Sequence, residues 1–220
     1  MRIKIDPDQP EPGLLARAAQ ILREGGLVVF PTDTLYGLGA DPFNSQAVAR
    51  AAQIKGRDAA DPFPLLAADE KQARGLCADW PSAAQRLARR FWPGALTLVL
   101  SADLSGGCAG IDPRLLNQRG CIALRVPANA AARGLIKLLG RPLVGTSANL
   151  SGNAGALDPQ LIERELGAGV ELILDAGVLP SNPGSSVVAL CNPSPKILRN
   201  GAIDPSLITD ALREIQDGAI

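Results

Sequence analysis

Histidine is absent from all 220 residues. That excludes a Ser-His-Asp or Cys-His nucleophile pair, an imidazole general base and any histidine metal ligand. Chemistry in this chain must use Lys, Arg, carboxylates, hydroxyls, backbone amides or a metal held by oxygen. Aromatic residues make up 3% of the chain, too few for the stacking platforms that single-stranded nucleic acid demands. Neither sign of charge is in excess, with 22 Lys and Arg against 22 Asp and Glu. No bulk field draws the chain to nucleic acid or membrane, which leaves room only for a local basic site. The four cysteines, Cys77, Cys108, Cys121 and Cys191, include no C-x-x-C pair, so neither a zinc site nor a disulfide framework is suggested. Cys121 and Cys191 sit in apolar runs and read as small buried hydrophobes. No apolar run approaches the ~20 residues of a membrane span, and the charged, proline-broken start is unlike a signal peptide. The expectation is a cytoplasmic chain without membrane contact.

What is present is a globular composition, 46% hydrophobic and 20% charged, long enough for a full core. Leu14, Leu15, Ala18, Ile21 and Leu22 recur at helical spacing before Gly25-Gly26. Leu27 to Phe30 is a short apolar strand stopped by Pro31. Ser45 is placed as the cap of a helix through Val48 and Ala51, and Ser82 with Gln85 as a capping box. Leu65 to Ala67 and Leu96 to Leu100 read as strands, and residues 101–120 as a long irregular excursion. Cys121 to Val126 alternates, with Ile122, Leu124 and Val126 on one face and Ala123 and Arg125 on the other. A helix from Asn129 to Gly140, strand Leu143-Val144 and a helix opened by Asp158-Pro159 follow. Val170 to Leu174, Val187 to Leu190 and Ile197-Leu198 are further strands, and Asp204-Pro205 starts a last helix. Helices and strands in this order imply an α/β (α+β) fold with a mixed sheet under helical cover, in a single domain over 1–220.

Four segments place polar or cationic residues directly after an apolar strand or a helix end: Pro31 to Gly39, Lys55-Gly56-Arg57, Thr146 to Asn149 with Ser151-Gly152, and Gly184-Ser185-Ser186 leading to Arg199. Ligands gather at strand ends in open sheets. Each segment also has a plainer reading. Thr146 to Asn149 can be a turn satisfying its own backbone, and Lys55 with Arg57 a charge pair at a helix C-terminus. Gly37 and Gly39 can serve a tight turn. Arg125 in the middle of a strand, like Arg199 at the end of one, must face solvent, a carboxylate or an anionic ligand. Neither a Walker A sequence nor a G-x-G-x-x-G after a strand is present, so a bound nucleotide would not use those cradles.

Taken in order, PTDTLYGLGADP, Lys55-x-Arg57, WPGALTLVL, ALRVP, Ser147-x-Asn149 and LRNGAI resemble the YrdC/TsaC family of threonylcarbamoyl-AMP synthases from about Leu14 to Ile203. The resemblance implies an open, twisted mixed sheet of the YrdC/RibB kind around a deep groove, with a short helix over 205–215. It implies a nucleotidyltransferase reaction in which L-threonine, bicarbonate and ATP, with Mg2+ as cofactor, give threonylcarbamoyl-AMP and pyrophosphate. The product then serves threonylcarbamoyl modification of tRNA. The residues matching the family's threonine site are Thr34, Arg125 and Ser185. Those matching its nucleotide site are Lys55, Arg57, Asp61, Cys121, Ser147, Asn149 and Arg199, with Lys55 and Arg57 as the catalytic cations.

Three positions depart from the family pattern: Asp58 replaces a proline, Asp61 stands where Asn or Lys is common, and Ala189 replaces a carboxylate. Expected partners beyond the substrates are the downstream threonylcarbamoyl-transferase proteins and tRNA itself. Competing readings are a non-catalytic module binding tRNA or double-stranded RNA, a YciO-like paralogue, and a phosphate-binding relative acting on another nucleotide.

Overall fold

A ten-stranded mixed sheet forms the centre of the computed structural model, which describes residues 1–56, 62–150, 156–192 and 194–213. In chain order the strands are β1 (Arg2–Lys4), β2 (Val28–Phe30), β3 (Gly37–Ala40), β4 (Leu65–Leu66), β5 (Leu96–Ser101), β6 (Cys121–Arg125), β7 (Leu143–Ser147), β8 (Leu172–Asp175), β9 (Ser186–Ala189) and β10 (Lys196–Arg199). The helices are α1 (Pro12–Arg23), α2 (Ser45–Lys55), α3 (Glu70–Arg74), α4 (Ser82–Phe91), α5 (Ala130–Leu139), α6 (Pro159–Leu166) and α7 (Pro205–Arg213). In space the strands run β1-β8-β2-β3-β7-β4-β6-β5-β9-β10. Pairs β1/β8, β2/β8, β4/β6 and β5/β9 are parallel and the rest antiparallel. No helix among the described residues is long and apolar enough to cross a membrane.

Local chemistry explains most boundaries. Asn129 Oδ1 caps α5 through Ala132 N, and Gly140 closes the helix in the left-handed conformation. Asp158 caps α6 ahead of Pro159. Two caps differ from expectation. The cap of α2 is Asn44, whose Oδ1 accepts from Gln46 N and Ala47 N, and Ser45 is already helical. At α4 the cap position is Pro81, which has no side-chain acceptor, so no capping box forms. Gln85 instead accepts from Arg74 and donates to Glu70.

The two faces of the sheet are covered unequally. On one face, Leu38, Leu65, Leu98, Ile122 and Val188 meet Val48 of α2, Leu87 of α4, Ile162 of α6 and Ile208 of α7 in the main core. On the other, α1 and α5 supply Leu15, Leu22, Leu135 and Leu139 over Phe30, Leu66, Leu143 and Leu172. Those two helices cover β8, β2, β4 and β7, with Ile3 of β1 packed beside them. Further along the same face, small residues (Val99, Cys121, Ala123, Val187, Ala189) form a floor with no helix packed on it. That floor is where a cavity opens.

Candidate functional site

One cavity of about 420 Å³ is lined by residues of β3, β5, β6, β7, β9 and β10 together with the segment before β3. From β3 to β10 there are six strand steps, roughly 29 Å across a flat sheet at ~4.8 Å per step. The sheet must therefore twist and curl to bring both ends to one space. Among its described lining residues are Arg125 and Arg199 and no carboxylate.

Arg125 ends the interior strand β6, next to β4 on one side and β5 on the other, so it is no edge-strand arginine. It is 6% exposed. Its Nε donates to Gly94 O at 2.9 Å and its Nη1 to Thr34 Oγ1 at 2.9 Å. Nη2 lies 2.8 Å from Asp33 Oδ1 but in a geometry that completes no hydrogen bond, and it is a buried donor without one. Burial pushes the guanidinium pKa down, Asp33 opposes that shift, and the charge of Arg199 adds to it. Two guanidinium groups therefore share one cavity, and an anion between them is the natural complement.

The segment between β2 and β3 supplies the matching hydroxyl. Thr32 Oγ1 accepts from Thr34 N and Leu35 N and donates to Leu35 O at 2.6 Å, so its capacity is spent. Thr34 Oγ1 already accepts from Arg125. It also lies 3.2 Å from Thr32 Oγ1, and Thr34 lines the cavity. Thr34 and the Arg125 guanidinium thus stand together at the cavity, a hydroxyl and a positive charge suited to a carboxylate. The remaining residues of this segment are structural. Tyr36 donates to Gly177 O at 2.7 Å and accepts from Ala176 N, and burial pushes its pKa up to about 12. Gly37 and Gly39 are not turn residues; a Cβ on either would lie within 3 Å of the Phe30 ring.

On the opposite wall, Arg199 Nε donates to Ser185 O and Nη2 to Ser185 Oγ, each at 3.0 Å. Ser185 Oγ is also 2.8 Å from Thr97 Oγ1 of β5. Burial alone moves the Arg199 pKa, downward, and no described carboxylate pairs with it. Arg199 is exposed and only neutral groups hold its guanidinium, which leaves the charge available to an anion. The closing segment wraps this wall: Gly201 passes so near that a Cβ would sit 2.3 Å from the Ser185 carbonyl carbon. Ser186 Oγ meanwhile ties down Gly201 N and Ile203 O.

Lys55 is placed differently from Arg125 and Arg199. It ends α2, is 3% exposed, and donates to Ser147 O and Asn149 O at 2.6 Å each, with Ser147 Oγ at 3.3 Å and Asn149 Oδ1 at 3.1 Å. Ser147 lines the cavity, and Lys55 and Asn149 stand behind it. Cys121 lines the cavity floor with its thiol against that of Cys191; burial first, then that contact, pushes the Cys121 pKa up to about 11. Arg57 and Asp61 lie outside the described residues.

The structure brings Thr34, Cys121, Arg125, Ser147, Ser185 and Arg199 to one cavity. Asp33 and Thr97 were not apparent in the sequence. A buried arginine needs a carboxylate, but the adjoining motif holds two acids, Asp33 and Asp41, and it is the structure that pairs Asp33 with Arg125 and Asp41 with Arg141. Thr97 carries no signal beyond a lone hydroxyl in an apolar strand.

The family model described as telomere recombination, covering Sua5, YciO and YrdC proteins, matches residues 20–201. A Mycobacterium tuberculosis protein named provisionally as a threonylcarbamoyl-AMP synthase is 36% identical over 207 residues, covering 94% of this chain and 92% of its own. The solved Pyrococcus abyssi Sua5 in complex with L-threonine superposes with a TM-score of 0.88 at 33% identity, covering 97% of this chain and 61% of that one. The chain thus spans under two thirds of that relative's length. Escherichia coli YciO gives a TM-score of 0.84 at 30% identity, over 93% of this chain and 97% of that one. The chain belongs to the Sua5/YciO/YrdC family.

Proposed function

We propose that this chain is a threonylcarbamoyl-AMP synthase that converts L-threonine, bicarbonate and ATP into threonylcarbamoyl-AMP and pyrophosphate. The observation that carries the reading is the cavity itself, with the guanidinium groups of Arg125 and Arg199 and no described carboxylate in its lining. The threonine complex of the P. abyssi relative supports it. The Arg125 guanidinium and the Thr34 hydroxyl take the threonine carboxylate, and Ser185 faces the same ligand. Arg199, Ser147 and the floor at Cys121 take the nucleotide. Asn149 acts through the turn it shares with Ser147, and Arg57 and Asp61 are assigned to the nucleotide side from the sequence motifs alone.

The amine of threonine adds to bicarbonate to give a carbamate with loss of water. A carbamate oxygen then attacks the α-phosphorus of ATP, and the bond to the leaving pyrophosphate breaks. Both reactants are anions, so alignment and fixed positive charge are what the protein contributes. Lys55 brings its charge beneath the Ser147–Asn149 turn and sets the two carbonyls that shape it. The described residues offer no cluster of three acids or cysteines for a resident metal. Mg2+ is accordingly taken as part of the MgATP substrate, bound through phosphate oxygens and water. The product, an activated acyl phosphate, suits transfer to tRNA by a downstream threonylcarbamoyl-transferase.

The test is mass spectrometry of the product made from threonine, carbon-13-labelled bicarbonate and MgATP. The expected species is a threonyl-carbamoyl adenylate one mass unit heavier than its unlabelled form, with one pyrophosphate per product. Release of pyrophosphate without threonine dependence, or an adenylate lacking the label, would overturn the reading. An RNA-binding module without catalysis would bind RNA in a salt-dependent way and yield no adenylate.

A further inference from the structure

The geometry points to Thr97 as a positioning residue that acts through Ser185 and so sets the amino-acid side of the cavity. This rests on the synthase reading above. Strand alternation puts Leu96, Leu98 and Leu100 in the main core, and turns Thr97 and Val99 to the cavity. Thr97 is 3% exposed and Ser185 6% exposed, and burying two hydroxyls is costly unless each finds a partner. Each finds the other, at 2.8 Å.

Counting hydrogens shows what that pairing does. Ser185 Oγ accepts from Arg199 Nη2. One hydroxyl of the Thr97–Ser185 pair donates to the other, in whichever direction. The second hydroxyl hydrogen then has no acceptor among the described residues, and both side chains line the cavity. The pair presents the ligand with a single hydrogen, on Thr97 or on Ser185, available to an oxygen acceptor such as a carboxylate or carbamate. Without the Thr97 oxygen, the Ser185 hydroxyl is free to rotate, and the acceptor it offers Arg199 is no longer held. Thr97 thereby links the wall that holds the nucleotide to the wall that reads the amino acid.

Five proteins test this: wild type, Thr97→Val, Thr97→Ser, Ser185→Ala, and the Thr97→Val/Ser185→Ala double variant that closes the cycle. Valine keeps the shape and strand preference of threonine, so thermal unfolding midpoints should stay close to wild type. Losing one neutral hydrogen bond should raise KM for threonine about three- to tenfold in Thr97→Val, with kcat within about twofold. Thr97→Ser should restore wild-type KM. In the Ser185→Ala background, adding Thr97→Val should change nothing further, because the partner is already gone. A Thr97→Val enzyme with wild-type KM, failure of serine to rescue, or effects of the two substitutions that multiply would each overturn the assignment. A wild type that makes no threonine-dependent product would instead overturn the synthase reading on which it rests.

Discussion

Replacing Arg125 by methionine separates what this side chain does for the fold from what it does for a ligand. Methionine keeps the apolar stem and removes the guanidinium. Asp33 then loses its counter-charge and keeps the Ala128 N–H at 3.0 Å as a described donor, while Gly94 O and Thr34 Oγ1 lose their donors. Removing one partner of a fully buried ion pair costs about 3–5 kcal/mol. The Arg125 side chain is 8% exposed but that of Asp33 is 19%, so water reaches the orphaned carboxylate and the cost falls to about 2–3 kcal/mol. For a chain of this length that is a drop in Tm of roughly 5–10 °C. Asp33→Asn combined with Arg125→Met should recover much of the loss, since no charge is left unpaired. Threonine affinity behaves differently. Charge-assisted donors to its carboxylate are worth about 1.5–3 kcal/mol, so Kd should rise roughly 10- to 150-fold and the double variant should not restore it. Urea unfolding and calorimetric titration with L-threonine measure the two effects. A double variant less stable than Arg125→Met, or threonine affinity within twofold of wild type in either, would refute the reasoning.

Lys55→Met leaves the carbonyls of Ser147 and Asn149 without their charged donor and should cost about 2–4 kcal/mol in urea unfolding. It should also abolish adenylate formation, and an active variant of wild-type stability would contradict the placement of Lys55. Gly201→Ala forces a Cβ to within 2.5 Å of Ser185 and Ser186 backbone atoms; the expected loss is about 1–3 kcal/mol, with a raised KM read in the same pyrophosphate assay. Glu171 has its pKa pushed up by burial and pulled down further by Leu27 N–H and Arg50, so the net direction is downward. Its stabilisation is therefore present above the ordinary glutamate range and lost as pH falls through the lowered value. The acid limb of Tm against pH should be shallower in Glu171→Gln, and an unchanged limb would contradict this. Cys77 and Cys108 have pKa values raised by burial to about 12 and about 11. At pH 8 both should resist iodoacetamide in the folded protein and react in urea, as peptide mass mapping would show.

Legibility in the sequence followed the physics of each element. Where a segment carried both a period and a terminator it could be read: Asn129 to Gly140 emerges as α5 with both caps in place, and the alternation over 121–126 gives β6 with Arg125 turned away from the main core. The strand β3 was hidden because Gly37 and Gly39 have little strand preference of their own. They are there because Phe30 from β2 fills the space a side chain would take, a cross-strand fact with no local trace. The three residues of β1 were hidden in the same way, since only pairing with β8 makes them a strand. The Ser82-x-x-Gln85 spacing matched a capping box, but the preceding Pro81 took the cap position and Gln85 found Arg74 and Glu70 instead. Convergence of Thr34, Arg125, Ser185 and Arg199 on one cavity depends on the curl of the sheet, which no local window contains. The identities of those residues were readable through the ordered motifs, while their partners, Asp33 and Thr97, needed coordinates.

A crystal structure of the protein with L-threonine and a non-hydrolysable ATP analogue bears most directly on the claim that one cavity seats both substrates. The threonine carboxylate should accept from the Arg125 guanidinium and the Thr34 hydroxyl, with a phosphate oxygen against Arg199. Threonine seated away from Arg125, or the nucleotide bound outside the cavity, would contradict it.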